Sequence, residues 1–501
     1  MTAYDEIIYP TRPHADTHPD RLATIATLFG MAPAPVERCR FLEIACGDAG
    51  NILPMAYGLP GSEFFGFDLA ARPIEMGKEV AARLGLSNVT LSHLDLSDFP
   101  QSAGRFDYIV AHGLYSWIPA PVRDRLLAVI AAHLAPQGVA FVSYNIYPGC
   151  YVRRMLWEML KFHTDHLDDP QSRIAEARAL TALIGSSRDL QGAQGAFLKA
   201  DLEGLSQREA GHFFHDDLAD INDPVYFHQF VDHASQHELQ FLGESEFKTM
   251  GYGGLTQETR QVLSALDPLT REQYLDFVRL RRFRQTLLCR SEVPLERSVS
   301  PEKITRLLLA EPPGMRVRVH TSEGTGADAS SAEAPAAETA RSPEEKLLQA
   351  MLDALHDASP CRLELAELMA RIGAGAEGGP LKRLGSEAFR QLALGAAQAG
   401  ALELHVHAPA LVLEPGERPV ASAVARLQIE SDRIVTSLCH DSVKLDDAVS
   451  PRLLPLLDGT RDRAALRVEL ADVLEGDDER ARADALDACL ANLARLALLV
   501  G

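Results

Sequence analysis

Three acidic residues in the first hundred positions stand within or at the end of short apolar runs: Glu43 in RFLEIACG, Asp68 in EFFGFDLA and Asp95 in VTLSHLDLS. A small-residue turn, Cys46-Gly47-Asp48-Ala49-Gly50, follows the first and leads into an apolar stretch with helical spacing. That arrangement suits a nucleotide-type ligand lying across the carboxyl end of a strand. Small residues let the backbone approach, and the free amides of the turn and helix start point at the ligand. Asp68 stands where a carboxylate accepts bonds from both ribose hydroxyls, and Asp95 where one could meet an adenine amino group. The loop is no dinucleotide fingerprint, since G-x-G-x-x-G is absent. Ala45 and Ala49 occupy positions where such loops usually carry glycine. Each acid also has a plainer reading, as a helix cap or a turn residue.

The elements that must position these acids are legible as alternating patterns. From residue 40 to 145 the runs RFLEIAC, EFFGFDL, VTLSHLD, FDYIVAH and GVAFVSYN alternate with helix patterns such as RPIEMGKEVAARLG and PVRDRLLAVIAAHLAP. Strands separated by helical stretches predict right-handed βαβ units and a parallel sheet. Ahead of them THPDRLATIATLFG reads as a helix capped by Thr17 and ended by Gly30. Residues 151–240 read as a helical insertion. LQFLGESEF and RQTLLCR then supply two strands that complete the first sheet, with a helix between them opened by a Thr270/Gln273 capping box. The Ala/Ser/Gly/Glu-rich stretch 321–345 reads as a linker ending in a capping box at Ser342 and Glu345. Helix patterns near 344–357, 362–372 and 386–399, then strand-like ALELHVH and ALVLEP, suggest a winged-helix-like unit, and a second follows. The expected organisation is a 1–295 α/β domain containing the 151–240 insertion, a 296–345 connection, and winged-helix-like α+β modules at 346–415 and 416–501.

The whole chain narrows the class. At 501 residues it is too long for a single core. A net charge of −21 opposes general binding to nucleic-acid backbones. Its seven scattered cysteines include no C-x-x-C pair and predict reduced thiols. No leader is legible in MTAYDEIIYP, and no apolar run is long enough to span a bilayer. The expectation is a soluble cytoplasmic protein.

Acids at the ends of strands one, two and three, in this order, resemble class I S-adenosylmethionine-dependent methyltransferases with a Rossmann-like sheet. Their usual loop, [DE]-x-G-x-G-x-G, keeps here the acid and the middle glycine. YDEIIYPTRPHADTHPDRLATIATLFG, SYNIYPG, FHDDLADINDPVYFHQFVDHASQHELQFLGESEF and RRFRQTLLCR further resemble bacterial methyltransferases carrying a methyltransferase regulatory domain. The same architecture occurs in bacterial lysine methyltransferases acting on outer-membrane proteins. The resemblance thus implies S-adenosyl-L-methionine as cofactor, S-adenosyl-L-homocysteine as product, a lysine-containing polypeptide as substrate, and a homodimer through the inserted helices. It carries over a cofactor loop of Glu43, Ala45, Cys46, Gly47 and Asn51. It also carries over Asp68 with Leu69, Asp95 with Leu96, and Ala111, His112 and Gly113 after the fourth strand. Cys150 stands where members with a tryptophan after the SYNxYPG motif differ. A small-molecule methyltransferase, or a cofactor-binding regulator without turnover, remains as an alternative.

A substrate lysine must be neutral to react, and aromatic faces hold its cationic form. Tyr115, Trp117, Tyr144, Asn145 and Tyr147, past the ends of strands four and five, are the channel candidates, with Tyr9 and His14 as a lid. Packing is the competing role for each aromatic. His112 could serve as a base, but its backbone role is favoured. His233-x-x-x-His237 has the i, i+4 spacing of a zinc pair, yet HASQH lacks the glutamate of H-E-x-x-H and no cysteine is near. No metal is expected there. RLRRFR, 279–284, reads as a solvated face with internally paired arginines.

Overall fold

The computed structural model describes residues 3–7, 9, 11–187, 192–313, 342–374, 380–476 and 478–501. They divide into two units. The first comprises residues 1–12, 31–245 and 255–295, and the second residues 13–30, 246–254 and 296–501.

The first unit is built on a seven-stranded sheet. Its strands are β1 (Arg40–Ile44), β2 (Glu63–Asp68), β3 (Val89–His93), β4 (Phe106–Ala111), β5 (Leu134–Asn145), β6 (Leu239–Glu244) and β7 (Phe283–Arg290). Their order is β3-β2-β1-β4-β5-β7-β6. The first five pair in parallel, and β7 runs antiparallel to both β5 and β6. This is the Rossmann-like sheet expected, completed by the last two strands. Because the order reverses beside β1, loops leaving β1 and β4 diverge and open a crevice at the carboxyl edge. The core beneath is apolar, with Leu42, Ile109, Val142 and Phe230 all buried. Helices between residues 151 and 235 separate β5 from β6.

The run 279–284 is solvated at Leu280, Arg282 and Phe283 and its arginines pair internally as expected, but it ends in a buried charge. Arg284 on β7 is fully buried, and its guanidinium donates to Asp276, to Glu272 at 3.0 Å and to Glu244. It also lies 4.0 Å over the Phe227 ring. Arg281 is bridged to Asp276 at 3.3 Å, while Arg282 pairs at the surface with Asp201. Two expected caps also move. Helix Pro19–Leu28 is capped by the ring of His18 at 3.2 Å from the Asp20 amide, so Thr17 is not its cap. Asp267 caps Pro268–Arg279 in place of the Thr270/Gln273 box. In both, the residue adjoining the proline-led first turn takes the free amides.

In the second unit β8 (Leu308–Ala310), β9 (Leu363–Glu364) and β10 (Glu403–His405) form an antiparallel sheet, and β11 (Ile434–Thr436) pairs with β12 (Ser442–Lys444). The Ser342/Glu345 capping box is present. Most of the expected linker lies outside the described residues, and ALVLEP forms no strand. No described helix is long and apolar enough to cross a membrane.

Charge is buried here too. Asp20 accepts from Arg362 at 2.8 Å, His405 at 2.7 Å, and the Val406 and His407 amides, each at 2.9 Å. Burial opposes its ionisation, but Arg362 and His405 hold it well below the usual carboxylate range. Nearby, burial pushes His18 down to about 3 and lowers His440 strongly. Below about pH 6.5 the unfolded chain therefore binds protons that the folded unit refuses, at up to about 1.4 kcal/mol per pH unit for each histidine. Stability of this unit is full above that pH and is expected to fall continuously toward pH 3. Asp20 adds to the loss only below about pH 4. Hydrogen exchange over residues 403–440 at pH 7 and pH 5 measures this, and equal protection at both values would refute it.

Candidate functional site

The loop after β1 is held in a conformation its sequence does not favour. Ala45, Gly47 and Ala49 have φ of 59°, 56° and 64°. For alanine this left-handed geometry costs roughly 1–2 kcal/mol per residue. Tertiary contacts impose it. The Cys46 amide donates to the Phe67 carbonyl at 3.1 Å, and the Gly47 amide to Asp68 Oδ2 at 2.9 Å. The N-terminal segment closes on the same turn. Thr11 Oγ1 donates to Asp48 and accepts from the Gly50 amide at 2.8 Å. A Cβ on Gly50 would lie 2.5 Å from that hydroxyl, and one on Gly47 2.7 Å from Thr11 Cγ2. These two glycines therefore admit Thr11, a residue the sequence analysis missed because nothing local marks it.

Glu43 is buried at the end of β1, where Asn51 Nδ2 donates to its Oε1 at 2.7 Å. Its Oε2 is buried with no partner among the described residues. Burial pushes the carboxyl up to about 8, against the Asn51 bond and with help from Asp48 and Asp68. An unpartnered buried carboxylate oxygen is costly, and a cationic donor would relieve it. This fits the ammonium of an amino-acid-bearing nucleotide.

Asp68, at the end of β2, is oriented by two amides: Gly47 on Oδ2 and Ala70 on Oδ1 at 2.8 Å. Burial raises its carboxyl and those bonds lower it. Each oxygen keeps further acceptor capacity. Leu69 beside it is half exposed, and its carbonyl meets His93 Nε2 at 3.0 Å. Asp95 is exposed and caps a short helical turn through the Ser97 amide at 2.7 Å, while Leu96 is buried in the core. Ala111 is fully buried at the end of β4. His112 Nδ1 meets Ser143 Oγ at 3.1 Å, and that oxygen also accepts from the Gly113 amide at 2.7 Å.

The expected channel residues divide. Tyr144 is buried, stacked on Phe230 at 4.0 Å and bonded to Thr286 at 2.9 Å. Tyr115 is buried too, its hydroxyl 2.9 Å from His233 Nδ1, and burial pushes that phenol up to about 12. Both pack inward, because each ring has aromatic neighbours in the core and each hydroxyl a fixed partner. Trp117 is partly exposed in the turn after β4. Tyr9 packs edge-on to His212 at 4.7 Å, and His215 bonds the Ile7 carbonyl at 2.6 Å, so the N-terminal segment joins the loop after β1 to the inserted helices. Tyr147, past β5, stacks on Tyr151 at 4.3 Å and lies 5.6 Å from Tyr226. The Tyr151 and Tyr226 hydroxyls are 3.0 Å apart and exposed. This open cluster of three rings includes two that sequence reasoning missed. The i, i+4 spacing of Tyr147 and Tyr151 was its local signal.

Comparison with known proteins adds three family matches: "Methyltransferase domain" at residues 41–138, "Predicted methyltransferase regulatory domain" at 210–290 and "PKMT, C-terminal winged helix domain" at 417–498. Two uncharacterized proteins of Rickettsia prowazekii are each 35% identical. One aligns over 60% of this chain and 55% of its own length, and the other over 48% and 96%. The chain thus spans about half of the first relative. The structure of PKMT2 from Rickettsia typhi matches 98% of this chain and all of its own, at 26% identity and a TM-score of 0.80. The same protein in complex with AdoHcy matches at 0.81.

Proposed function

Because the chain belongs to the S-adenosylmethionine-dependent methyltransferases that carry a methyltransferase regulatory domain and a PKMT-type winged helix, we propose that it methylates lysine side chains of a protein. The observation that carries this reading is the likeness to PKMT2 along essentially the whole chain, winged helix included. The fit of the cofactor rests on Glu43 and its unpartnered buried oxygen.

The cofactor supplies an already activated methyl group, leaving the chain to align an amine and exclude water. In this reading Glu43 Oε2 accepts from the cofactor's ammonium. Asp68, pre-set by the Gly47 and Ala70 amides, accepts from the ribose hydroxyls, and Asp95 meets the adenine. Cys46, Asn51, Leu69, Leu96 and Ala111 shape the pocket wall, and the His112 segment offers its backbone. A lysine has a solution pKa of about 10.4, so about one amine in two thousand is neutral at pH 7. The open ring cluster of Tyr147, Tyr151 and Tyr226 supports this substrate class, since stacked tyrosines hold an ammonium by cation–π attraction until it loses its proton. It is better placed to receive a side chain than the inward-packed Tyr115 and Tyr144.

Incubating the chain with methyl-labelled cofactor and a lysate should label a protein band, and hydrolysis of that band should return methylated lysine. Label confined to the low-mass fraction would favour a small-molecule acceptor instead. No transfer to any molecule would refute the proposal. The Glu43 carboxyl, pushed up to about 8 by burial, must ionise to hold the ammonium. Cofactor binding should therefore release a proton at pH 7 and tighten about eightfold between pH 6 and pH 7, where the cofactor's own ammonium stays largely charged. Calorimetry in buffers of different ionisation enthalpy reads both effects. Affinity independent of pH would remove Glu43 from this role.

A further inference from the structure

His233 and His237, four residues apart at the end of helix Phe227–Ser235, face a carboxylate that their own sequence does not contain. Asp124, from helix Ala120–His133, places Oδ1 2.8 Å from His237 Nε2 and 3.5 Å from His233 Nε2. One ligand atom from each of the three lies within 4.8 Å of the others. The far nitrogen of His233, Nδ1, is 2.9 Å from the hydroxyl of Tyr115. In the tautomer with its hydrogen on Nδ1, that nitrogen donates to the Tyr115 oxygen and Nε2 offers its lone pair to an ion held beside Asp124, which is how ligating histidines are commonly oriented. Asp124 is exposed and both histidines are partly exposed, so solvent can complete a coordination sphere.

We propose that Asp124, His233 and His237 form a divalent transition-metal site, with zinc as the matching ion. Two neutral imidazole nitrogens and one carboxylate oxygen are a ligand set zinc accepts, leaving one position for water. At His237 Nε2 the metal takes the place of the hydrogen that now bonds Asp124, and the neutral ring carries its hydrogen on Nδ1 instead. The site joins two helices that flank the sheet. Through the Tyr115 hydroxyl it also reaches the segment following β4, so metal would fix the regulatory helix against the carboxyl edge of the methyltransferase sheet. The inference does not depend on what the enzyme methylates.

The test uses the full chain, stripped with chelator and titrated calorimetrically with zinc chloride, with cobalt(II) absorption as a second probe of coordination. The wild type should bind one equivalent that His237→Ala and Asp124→Ala lose, and His228→Ala, on the same helix, should keep it. Bound zinc should raise the melting temperature of the wild type and of His228→Ala only. Zinc binding of equal stoichiometry and affinity in the wild type, His237→Ala and Asp124→Ala overturns the proposal, as does no binding to the wild type. Should His237→Ala fail to fold, Asp124→Ala decides alone, because that side chain is exposed and its loss empties no core.

Discussion

Asp68→Ala is expected to weaken cofactor binding at least a hundredfold and to reduce methyl transfer accordingly. The carboxylate does two things at once: it holds the Gly47 and Ala70 amides, and in the proposed site it accepts from the ribose. Hydrogen bonds to a charged group contribute about 1.5–3 kcal/mol each, so losing two on the ligand side removes two or more powers of ten in affinity. The loop itself should also loosen, since the Gly47 amide is one of the contacts that keep Ala45 and Ala49 in the left-handed region. Asp68→Asn keeps one acceptor and should fall between the two. Calorimetry with S-adenosylhomocysteine is the direct measurement. An affinity for Asp68→Ala within a few-fold of the wild type would show that this acid is only a turn residue.

Arg284→Ala is expected to destabilise the first unit by about 3–5 kcal/mol, because it removes the guanidinium shared by the buried carboxylates of Glu244, Glu272 and Asp276 and leaves the last two only that of Arg281. That is a large part of the total stability of an ordinary domain. The pH dependence separates this cause from simple loss of packing. Even with the arginine present, burial pushes Asp276 up to about 6, the guanidinium opposing it. A carboxyl raised in the folded state favours folding when protonated, and its contribution is lost as pH rises through the folded value. The melting temperature of Arg284→Ala should therefore recover as pH falls from 8 to 6, and a parallel shift of variant and wild type would contradict the charge argument.

Much of the first unit could be read locally. Short apolar runs separated by helical stretches give β1 to β5, and the acids at their ends follow from where an α/β sheet opens its crevice. The helical insertion and the return of β6 and β7 to the sheet were also legible, and so was the Ser342 capping box. The caps at His18 and Asp267 were missed by one to three residues. Several amides start each helix, and which neighbour reaches them depends on how the chain enters the turn. Among the tyrosines, residue type was informative and direction was not. Tyr144 and Tyr147 lie three positions apart, yet one stacks in the core on Phe230 and the other on the exposed Tyr151.

What the sequence determined by itself was the order of strands and helices and the chemistry carried at the strand ends, because both are periodic or short-range properties of the chain. Tertiary structure alone decided the rest. Thr11 reaches Asp48 across 37 residues, His237 reaches Asp124 across 113, and Tyr115 reaches His233 across 118. Arg284 became a buried ion-pair centre only because Glu244, on the strand beyond its own, and the helix bearing Glu272 and Asp276 closed around it. Such partners leave no periodic trace, since their spacing is set by loop lengths and packing and by no repeat of the backbone. The left-handed alanines show the same division: the sequence marked them as unusual, and the contacts made by Phe67, Asp68 and Thr11 hold the loop that contains them.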